Sequence, residues 1–432
     1  MYTVPGCVMM VKQKQLCKLM LFMVLLNLAV RAVFVFASLS FGMKIGPKSP
    51  SYYSSDGYQD LGQMVAQGYG IRFAPDLKPS VFRAPVYPLL LGFTDHLIGN
   101  MDLSVLIINC LFAALGCAVL VAMFWYIAGR NAALMTGIIV SLYPQLIIYS
   151  WHAFTELIQF FFISLFAFCL LFMFRIRNTI WGAAAGAAFA LEVLAKGWML
   201  GFPVLLLPAF LLSCRKNESR GWKCAFAFCI VALIVICPWT VRNYIVSGRL
   251  IPITTGGGYQ YLVGNRALDV NVNIANGEYD ALAARLGFPT RTNGIHGCYL
   301  DITPVADDYF NNKAKKDVQQ HPATLVRKVC IGSLRLWYLS PNSKIKTMFA
   351  AIISGLLLLA WGAGTPKFER SNIFWMPCAL LMVYATIVFG VIYAEYRYLL
   401  PLSGLLIGFA CTSFLMLSGR IVSKPADTEE LK

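Results

Sequence analysis

The polar segment 51–88 separates two long apolar runs and holds the residue types that an active site at a membrane surface would use. Its acidic turn, Asp56-Gly57-Tyr58, is followed by Arg83 in the run Arg-Ala-Pro-Val-Tyr-Pro. A carboxylate can accept a proton from a hydroxyl, and a guanidinium offers a planar fork of donors to a phosphate. Asp-Gly is also a common turn pair, and an interfacial arginine can simply lie along lipid headgroups, so both ordinary explanations stay open.

Four further ionisable side chains stand at the ends of apolar runs: Glu156, Lys196, Arg242 and Arg397. Glu156 begins a run, where the helix dipole also favours a carboxylate, and Lys196 can pair with Glu192 four residues earlier. Arg242 can extend its charge to the interface while its stem stays among apolar groups. Because these three have ordinary explanations, the argument for function depends on where all four lie together.

The composition identifies the class of protein. The chain has 432 residues, of which 58% are hydrophobic and only 13% charged, whereas soluble domains carry roughly 25% charged residues. Apolar runs of about 20 residues, long enough to cross a bilayer, recur along it. We therefore predict an all-α polytopic membrane protein. The net charge of +16 does not indicate nucleic-acid binding, because many basic residues occupy short loops and others can face anionic lipids or phosphates.

Ten runs are predicted to cross the membrane: 19–42, 102–127, 132–150, 157–174, 179–196, 198–213, 224–240, 346–362, 372–393 and 398–418. Lys12, Lys14 and Lys18 precede the first run, so the positive-inside rule places the N-terminus in the cytoplasm and residues 43–101 outside. The other inside segments are also basic, which predicts that both termini are inside. No small-residue cleavage site follows the first run before the tyrosine-rich loop, so we interpret it as an uncleaved span. The Ala- and Gly-rich run 179–196 suits close helix packing.

This topology brings the ionisable residues to one surface. The six that it places at the outer membrane face are Asp56, Arg83, Glu156, Lys196, Arg242 and Arg397. They come from distant parts of the sequence, and their joint location predicts a site at that face.

Three parts are predicted along the chain. These are an N-terminal transmembrane catalytic core (1–240), an outer segment (241–345), and C-terminal helices with a cytoplasmic tail (346–432). The first outer loop, 43–101, is predicted to contain two interfacial helices, at 57–69 and 85–98.

The outer segment 241–345 is predicted to be a small α/β unit. Its start, 245–258, is Gly-rich and β-prone, Thr303-Pro304 opens a polar helix, and a further helix covers 323–338. The thirteen cysteines show no metal-ligand spacing, and most lie inside apolar runs, where they are interpreted as small hydrophobic residues. Cys298 and Cys330 are both predicted outside and could pair, but nothing in the sequence requires it.

Five motifs in the chain have counterparts, in the same order, in a known family. They are SSDGYQDLGQMVAQGYG, RAPVYPLLLG, YPQLIIYSWHAFTE, CPWTVRNYIVSGRLIPITTGGGYQYLVGN and EYRYLLPL. With these motifs the chain resembles the GT-C glycosyltransferases of the dolichyl-phosphate-mannose–protein mannosyltransferase type, which include the bacterial lipid A aminoarabinose transferases. The most specific combination is PWTVRNY followed by GN, with the first-loop motif upstream.

The resemblance implies transfer of a sugar, with inversion, from a polyprenyl-phosphate donor to an acceptor hydroxyl on the outer side of the membrane. The acidic first-loop residue of the family corresponds to Asp56, the expected catalytic base. Relatives often have Asp-Glu where this chain has Asp56-Gly57, and arginine where it has Lys196. The donor phosphate is expected to be held by cations, namely Arg83, Lys196, Arg242 and Arg397.

Glu156 is expected to orient the acceptor or to help bind a divalent cation, Mg²⁺ or Mn²⁺, and no other cofactor is expected. The sugar stays open, and the acceptor can be a glycan, a lipid or a protein. The expected location is a bacterial inner membrane, with the site facing the periplasm. The main alternative is a secondary transporter or a flippase of lipid-linked sugars, and the third is a scaffold protein. A transporter usually places charges near the membrane midplane, where the chain has only Arg31 and the Glu192–Lys196 pair.

Overall fold

A computed structural model describes most of the chain. The described residues are 5–41, 56–206, 218–269, 278, 281–282, 285–287, 290–291, 299–300, 302–339, 344–364 and 375–420. Cys298 and the second half of the predicted span 198–213 lie outside these residues.

Helices account for nearly all of the regular structure. They are α1 (Pro5–Ser40), α2 (Tyr58–Ala66), α3 (Val86–Ile98), α4 (Met101–Ala128), α5 (Arg130–Leu142), α6 (Pro144–Ile148), α7 (Glu156–Ile176), α8 (Thr179–Ala195), α9 (Glu218–Ser247), α10 (Gly257–Arg266), α11 (Pro304–Gln320), α12 (Ala323–Arg327), α13 (Ser333–Arg335), α14 (Lys344–Gly364), α15 (Trp375–Ile392) and α16 (Leu400–Leu417). Short 3-10 turns lie at Tyr149–Trp151, Gly197–Gly201 and Tyr396–Leu399, and a π-helical turn lies at Lys328–Gly332. Each of the ten predicted spans overlaps helical residues in the described part of the chain.

The prediction of a multi-pass helical membrane protein is confirmed. Within the described residues, seven helices are long and apolar enough to cross a membrane, and there are eight if the bent pair α5–α6 forms one span. The two remaining predicted spans, at 179–196 and 198–213, correspond to shorter apolar helices, so the count of ten stays a prediction.

The bend between α5 and α6 explains the buried Arg31. The two helices meet at 51°, where Pro144 cannot donate a backbone hydrogen bond to the preceding turn. Arg31 reaches across from α1, and its Nη1 donates to the carbonyl of Leu146 at 2.6 Å and to the hydroxyl of Ser150 at 2.7 Å. Its Nε donates to Asn27 Oδ1 at 2.9 Å. A charge inside the membrane is thus used to satisfy polar groups at a broken helix.

Small residues let α8 lie directly against α9. A side-chain carbon added at Gly182 would collide with the carbonyl oxygen of Cys224, and one added at Gly186 would collide with that of Phe228. The prediction of close packing by the run 179–196 is therefore confirmed. This contact fixes the direction of α8 and so the position of Lys196, which follows its last residue.

The two helices predicted between the first two spans are present as α2 and α3, each within a few residues of its predicted bounds, and their place at the membrane interface stays a prediction. Close contacts between Gly62 and Leu91 and between Gly92 and Val65 hold them together. Because α2 begins two residues after Asp56, this packing anchors the acidic turn.

The Gly-rich start of the outer segment differs from the prediction. Residues 257 and 258, predicted within a β-prone stretch, begin helix α10. The reason is a long-range cap: the carboxylate of Asp307, in α11, accepts hydrogen bonds from the backbone N–H groups of Gly258 at 2.8 Å and Tyr259 at 3.3 Å. These are N–H groups that a helix start leaves without an internal partner.

The rest of the outer segment follows its predicted order. Thr303 caps α11 by accepting from Ala306 N at 3.3 Å, as predicted. The predicted helix 323–338 is present as α12, the π-helical turn and α13. Thr290–Arg291 pairs antiparallel with Tyr299–Leu300, and the α/β character of the whole segment stays a prediction.

Replacing Gly264 by alanine should loosen the outer segment from the transmembrane core. An added side-chain carbon at Gly264, in α10, would collide with the carbonyl oxygen of Ile392, the last residue of α15. Overpacking of this kind costs about 1–3 kcal/mol, so thermal unfolding in detergent should begin at a lower temperature. Gly257→Ala is the matched control, because nothing lies within 4 Å of its added carbon. Equal melting of the two variants would contradict this packing.

Candidate active site

Asp56 occupies an uncommon backbone conformation just before α2. Asp56 has φ 49° and Gly57 has φ 78°, and the left-handed region is more accessible to aspartate and glycine than to other residues. A side-chain carbon at Gly57 would also lie 2.8 Å from the ring of Phe73. The backbone conformation and the Phe73 ring therefore both favour glycine at position 57.

Two arginines from distant segments flank the Asp56 carboxylate. Arg83 Nη2 lies 4.0 Å from Asp56 Oδ1, and Arg397 Nη1 lies 3.6 Å from Asp56 Oδ2. The guanidinium of Arg83 lies over the ring of Phe82, 4.0 Å from its centroid. The Asp56 side chain is 31% exposed, so it remains accessible while both oxygens face a cation.

The Arg397 guanidinium is held on several sides. Its Nε lies 3.0 Å from Glu395 Oε2, and its Nη2 donates to Tyr398 Oη at 3.1 Å. Its central carbon also lies 4.7 Å from the ring centroid of Phe154. These contacts fix the plane of the guanidinium and direct Nη1 toward Asp56.

A second ion pair lies beside the first group. Lys196 Nζ is 3.4 Å from Glu156 Oε1, and Glu156, the first residue of α7, is only 1% exposed. Lys196 also lies over the ring of Tyr398, 4.2 Å from its centroid. The expected alternative, a pair between Lys196 and Glu192, does not form, because the backbone leaves the helix at Lys196 and becomes extended.

Partly buried hydrogen bonds fix both halves of this second pair. Trp198 Nε1 donates to Gln159 Oε1 at 2.9 Å, which ties the turn after Lys196 to the first turns of α7. On the other side, the amide of Asn109 in α4 donates to the carbonyl of His152 at 2.8 Å. The segment leading into Glu156 is therefore anchored to α4.

The site as a whole balances three cations against three carboxylates: Arg83, Lys196 and Arg397 against Asp56, Glu156 and Glu395. Burial acts to raise the pKa of Asp56, but the positive charges of Arg397, Arg83 and Lys196 outweigh it, so that the pKa is lowered. Asp56 is consequently ionised at neutral pH and free to accept a proton. For Glu395, burial raises the pKa, and the carboxylates of Asp56 and Glu156 add to this, while Arg397 opposes it.

Five of the six residues predicted from topology come together in this group, and Arg242 is held differently. Arg242 Nη1 donates to the carbonyl of Ser80 at 2.6 Å, and Nη2 donates to that of Ile71 at 3.3 Å. Its guanidinium lies 4.6 Å from the ring centroid of Trp239. Arg242 thereby ties the end of α9 to the loop that leads to Arg83. Its contact with a phosphate stays a prediction.

Two residues near the site received no role from the sequence. Glu395 lies in the same turn as Arg397. Its position two residues before Arg397 was the sequence signal that could have identified it as a site residue. His152 is close enough for Glu156 and Arg397 to influence its charge, and burial lowers its pKa. Its position four residues before Glu156 was a weaker signal.

The carboxylates do not form a preformed metal centre. Over the described part of the chain, no three His, Cys, Asp or Glu side chains come together as ligands for a metal ion. Each site carboxylate faces a cation instead, so a divalent ion would have to displace an arginine or lysine. The divalent cation stays a prediction.

The comparisons with known proteins agree with the motif-based resemblance. Residues 82–241 match the family model of the dolichyl-phosphate-mannose-protein mannosyltransferases. This match includes Arg83, Glu156 and Lys196 and ends one residue before Arg242. No curated protein matches the sequence significantly.

Solved structures show the fold. The archaeal oligosaccharyltransferase AglB from Archaeoglobus fulgidus, in complex with an inhibitory peptide and a dolichol-phosphate, is similar with a TM-score of 0.60 and 11% identity over 95% of this chain and 51% of that one. The apo form of the oligosaccharyltransferase from the same organism has a TM-score of 0.59 and 13% identity, over 94% of this chain and 51% of that one. ArnT from Cupriavidus metallidurans, bound to undecaprenyl phosphate, has a TM-score of 0.44 and 15% identity, over 91% of this chain and 78% of that one.

The chain thus spans about half the length of the archaeal structures that it matches. Its transmembrane fold is of the GT-C type, and the resemblance predicted from the motifs is confirmed at that level.

Proposed function

We propose that this protein is a membrane glycosyltransferase that moves a sugar from a polyprenyl-phosphate donor to an acceptor hydroxyl at the outer membrane face. The observation that carries the proposal is the ionised Asp56 carboxylate flanked by Arg83 and Arg397, at the end of a transmembrane bundle. The family match and the GT-C fold support it, as does the dolichol-phosphate bound to AglB. We further propose a bacterial inner membrane, with the site facing the periplasm.

The donor binds through its phosphate, because its lipid tail cannot leave the membrane. Arg83 and Arg397 flank Asp56, and Lys196 pairs with Glu156 beside them, so these are the cations assigned to the phosphate. When the bond between the anomeric carbon and the phosphate oxygen breaks, negative charge grows on that oxygen. Fixed cations in a partly buried site stabilise this charge more in the transition state than in the ground state.

The acceptor hydroxyl is activated by Asp56. The carboxylate takes the hydroxyl proton as the acceptor oxygen bonds to the anomeric carbon, from the face opposite the departing phosphate, so that the configuration inverts. General-base assistance of this kind contributes roughly 10²–10⁴-fold to the rate. Glu156 keeps one carboxylate oxygen, Oε2, without a hydrogen-bond partner among the described residues. We assign it to orienting the acceptor.

The alternative role of Glu156 is to bind a divalent cation. A structure of the A. fulgidus oligosaccharyltransferase contains Zn and sulfate. In this protein the cation would have to compete with Lys196 for Glu156. Dependence of transfer on added Mg²⁺ or Mn²⁺ decides between the two roles.

A transporter or flippase is the second candidate, and the deep charges do not favour it. Arg31 is engaged by Asn27, Leu146 and Ser150 at the helix bend. Lys196 pairs with Glu156 at the site and not with Glu192. Arg31 and Lys196 thus have structural partners instead of lining a route for substrate.

Reversing the charge of Arg242 should weaken donor binding more than the same change at Arg249. Arg242→Glu removes two hydrogen bonds that hold the loop before Arg83, and hydrogen bonds from charged groups contribute about 1.5–3 kcal/mol each. Loss of one corresponds to roughly tenfold or more in affinity. Arg249 is the matched control, because it pairs with Asp308 on the exposed surface. The readout is the dissociation constant for a polyprenyl-phosphate, and equal effects would mean that Arg242 only extends toward the interface.

The function is tested with purified protein in liposomes, a radiolabelled polyprenyl-phosphate sugar and an envelope extract as the source of acceptors. Transfer of label from the donor to a second molecule supports the proposal. Label that crosses the bilayer and stays on its original lipid supports a flippase and contradicts the proposal.

A further inference from the structure

Glu395 lies in a turn whose backbone is fixed. The turn joins α15 to α16, and the N–H of Tyr396 donates to the carbonyl of Leu339 in the outer segment at 3.0 Å. The phenols of Tyr396 and Tyr143 lie 2.6 Å apart, which ties the same turn to the break between α5 and α6. The Glu395 side chain is 18% exposed, so this partly buried carboxylate is held in place by the fixed turn.

The three nitrogen atoms of the Arg397 guanidinium each lie near a different partner. Nε lies 3.0 Å from Glu395 Oε2, and Nη2 donates to Tyr398 Oη at 3.1 Å. Only Nη1 is directed at Asp56, at 3.6 Å. The hydroxyl of Tyr393 donates to the same Glu395 oxygen at 3.2 Å, which holds that carboxylate toward Arg397.

This division matters because of how arginine binds carboxylates. A guanidinium is planar, and it pairs most strongly through two parallel N–H groups on one edge. A two-point pair between Arg397 and Asp56 would bind the proposed base in a salt bridge and make it a weaker proton acceptor. Tyr398 accepts a hydrogen bond from Nη2. Glu395 lies 3.0 Å from Nε as an ion-pair partner without a hydrogen bond, and it attracts the guanidinium away from a two-point pair with Asp56.

We infer that Glu395 is a positioning residue, which holds Arg397 by its Nε edge and so limits the contact between Arg397 and Asp56 to one point. Asp56 Oδ1, which lies 4.0 Å from Arg83 and so beyond hydrogen-bond distance, is then available for the acceptor proton, while Arg397 keeps its charge at the donor phosphate. This inference rests on the proposed function, in which Asp56 is the base.

Glu395→Gln tests the inference, because glutamine keeps the shape and loses the charge. The expected result is a fall in kcat by up to roughly a hundredfold, as for a misplaced catalytic group, with little change in KM for the donor. In an Arg397→Gln background, the same substitution should have no further effect on kcat. Tyr393→Phe should act in the same direction but more weakly, since it removes one hydrogen bond and leaves the carboxylate. A rise in KM with unchanged kcat, or additive losses in the double variant, would overturn the inference.

A second measurement does not depend on turnover. A cryo-electron-microscopy structure of the Glu395→Gln variant should show Arg397 turned to a two-point pair with Asp56. A guanidinium that keeps its present single contact overturns the inference, whatever the activity. The proposed function fails separately, when the unaltered protein transfers no sugar.

Discussion

Asp56→Asn is expected to abolish sugar transfer while leaving expression and membrane insertion intact. Asparagine fits the same turn, because it also tolerates the left-handed backbone conformation that Asp56 adopts at φ 49°. It cannot accept the acceptor proton, so the rate should fall by roughly 10²–10⁴-fold. The measurement is the initial rate of label transfer at saturating donor.

Asp76→Asn is the matched control for this variant. Asp76 lies in the same outer loop, but it is exposed and pairs with neither site arginine in the described contacts. Its rate should equal that of the unaltered protein. Full activity in Asp56→Asn would exclude Asp56 as the base.

Arg397→Gln is expected to cause the second largest loss. Among the described residues, Arg397 is the one cation that contacts both Asp56 and a second site carboxylate, Glu395. Removing a fixed donor from a developing negative charge costs roughly 10²–10³-fold in kcat. Arg397→Lys should recover part of this, because it keeps the charge but lacks the planar fork that Glu395 and Tyr398 hold.

The control for Arg397 is Arg327→Gln, which breaks an exposed ion pair with Asp269. Exposed pairs contribute about 0–1 kcal/mol to stability, so this variant should transfer at the normal rate. If glutamine and lysine at position 397 both left kcat unchanged, Arg397 would have no role in stabilising the leaving phosphate.

The membrane face on which each site residue lies could be predicted from the sequence. Hydrophobic spans alternate with basic inside loops, and this alone assigns Asp56, Arg83 and Arg397 to the same membrane face. Their contacts with one another follow from how the spans pack, which depends on close approaches such as that of α8 and α9. The sequence therefore predicted five of the residues that meet, but it did not predict the separate contacts of Arg242 or which residues pair.

The pairing of Lys196 shows why the ion pairs could not be predicted from the sequence. A spacing of four residues brings Glu192 and Lys196 together only while the helix continues. Here α8 ends at Ala195, and the extended backbone at Lys196 directs its side chain to Glu156 instead. Likewise, residues 257–258 became helical because Asp307, nearly fifty residues later, caps them. Local patterns do not contain such distant partners.

The most direct test of the central claim compares the unaltered protein with Asp56→Asn in one transfer assay. Both are purified, placed in liposomes and given the same radiolabelled polyprenyl-phosphate sugar with an envelope extract. The account predicts that label moves to an acceptor only with the unaltered protein, and that the product has the inverted anomeric configuration. No transfer by the unaltered protein, or equal transfer by both, would contradict it.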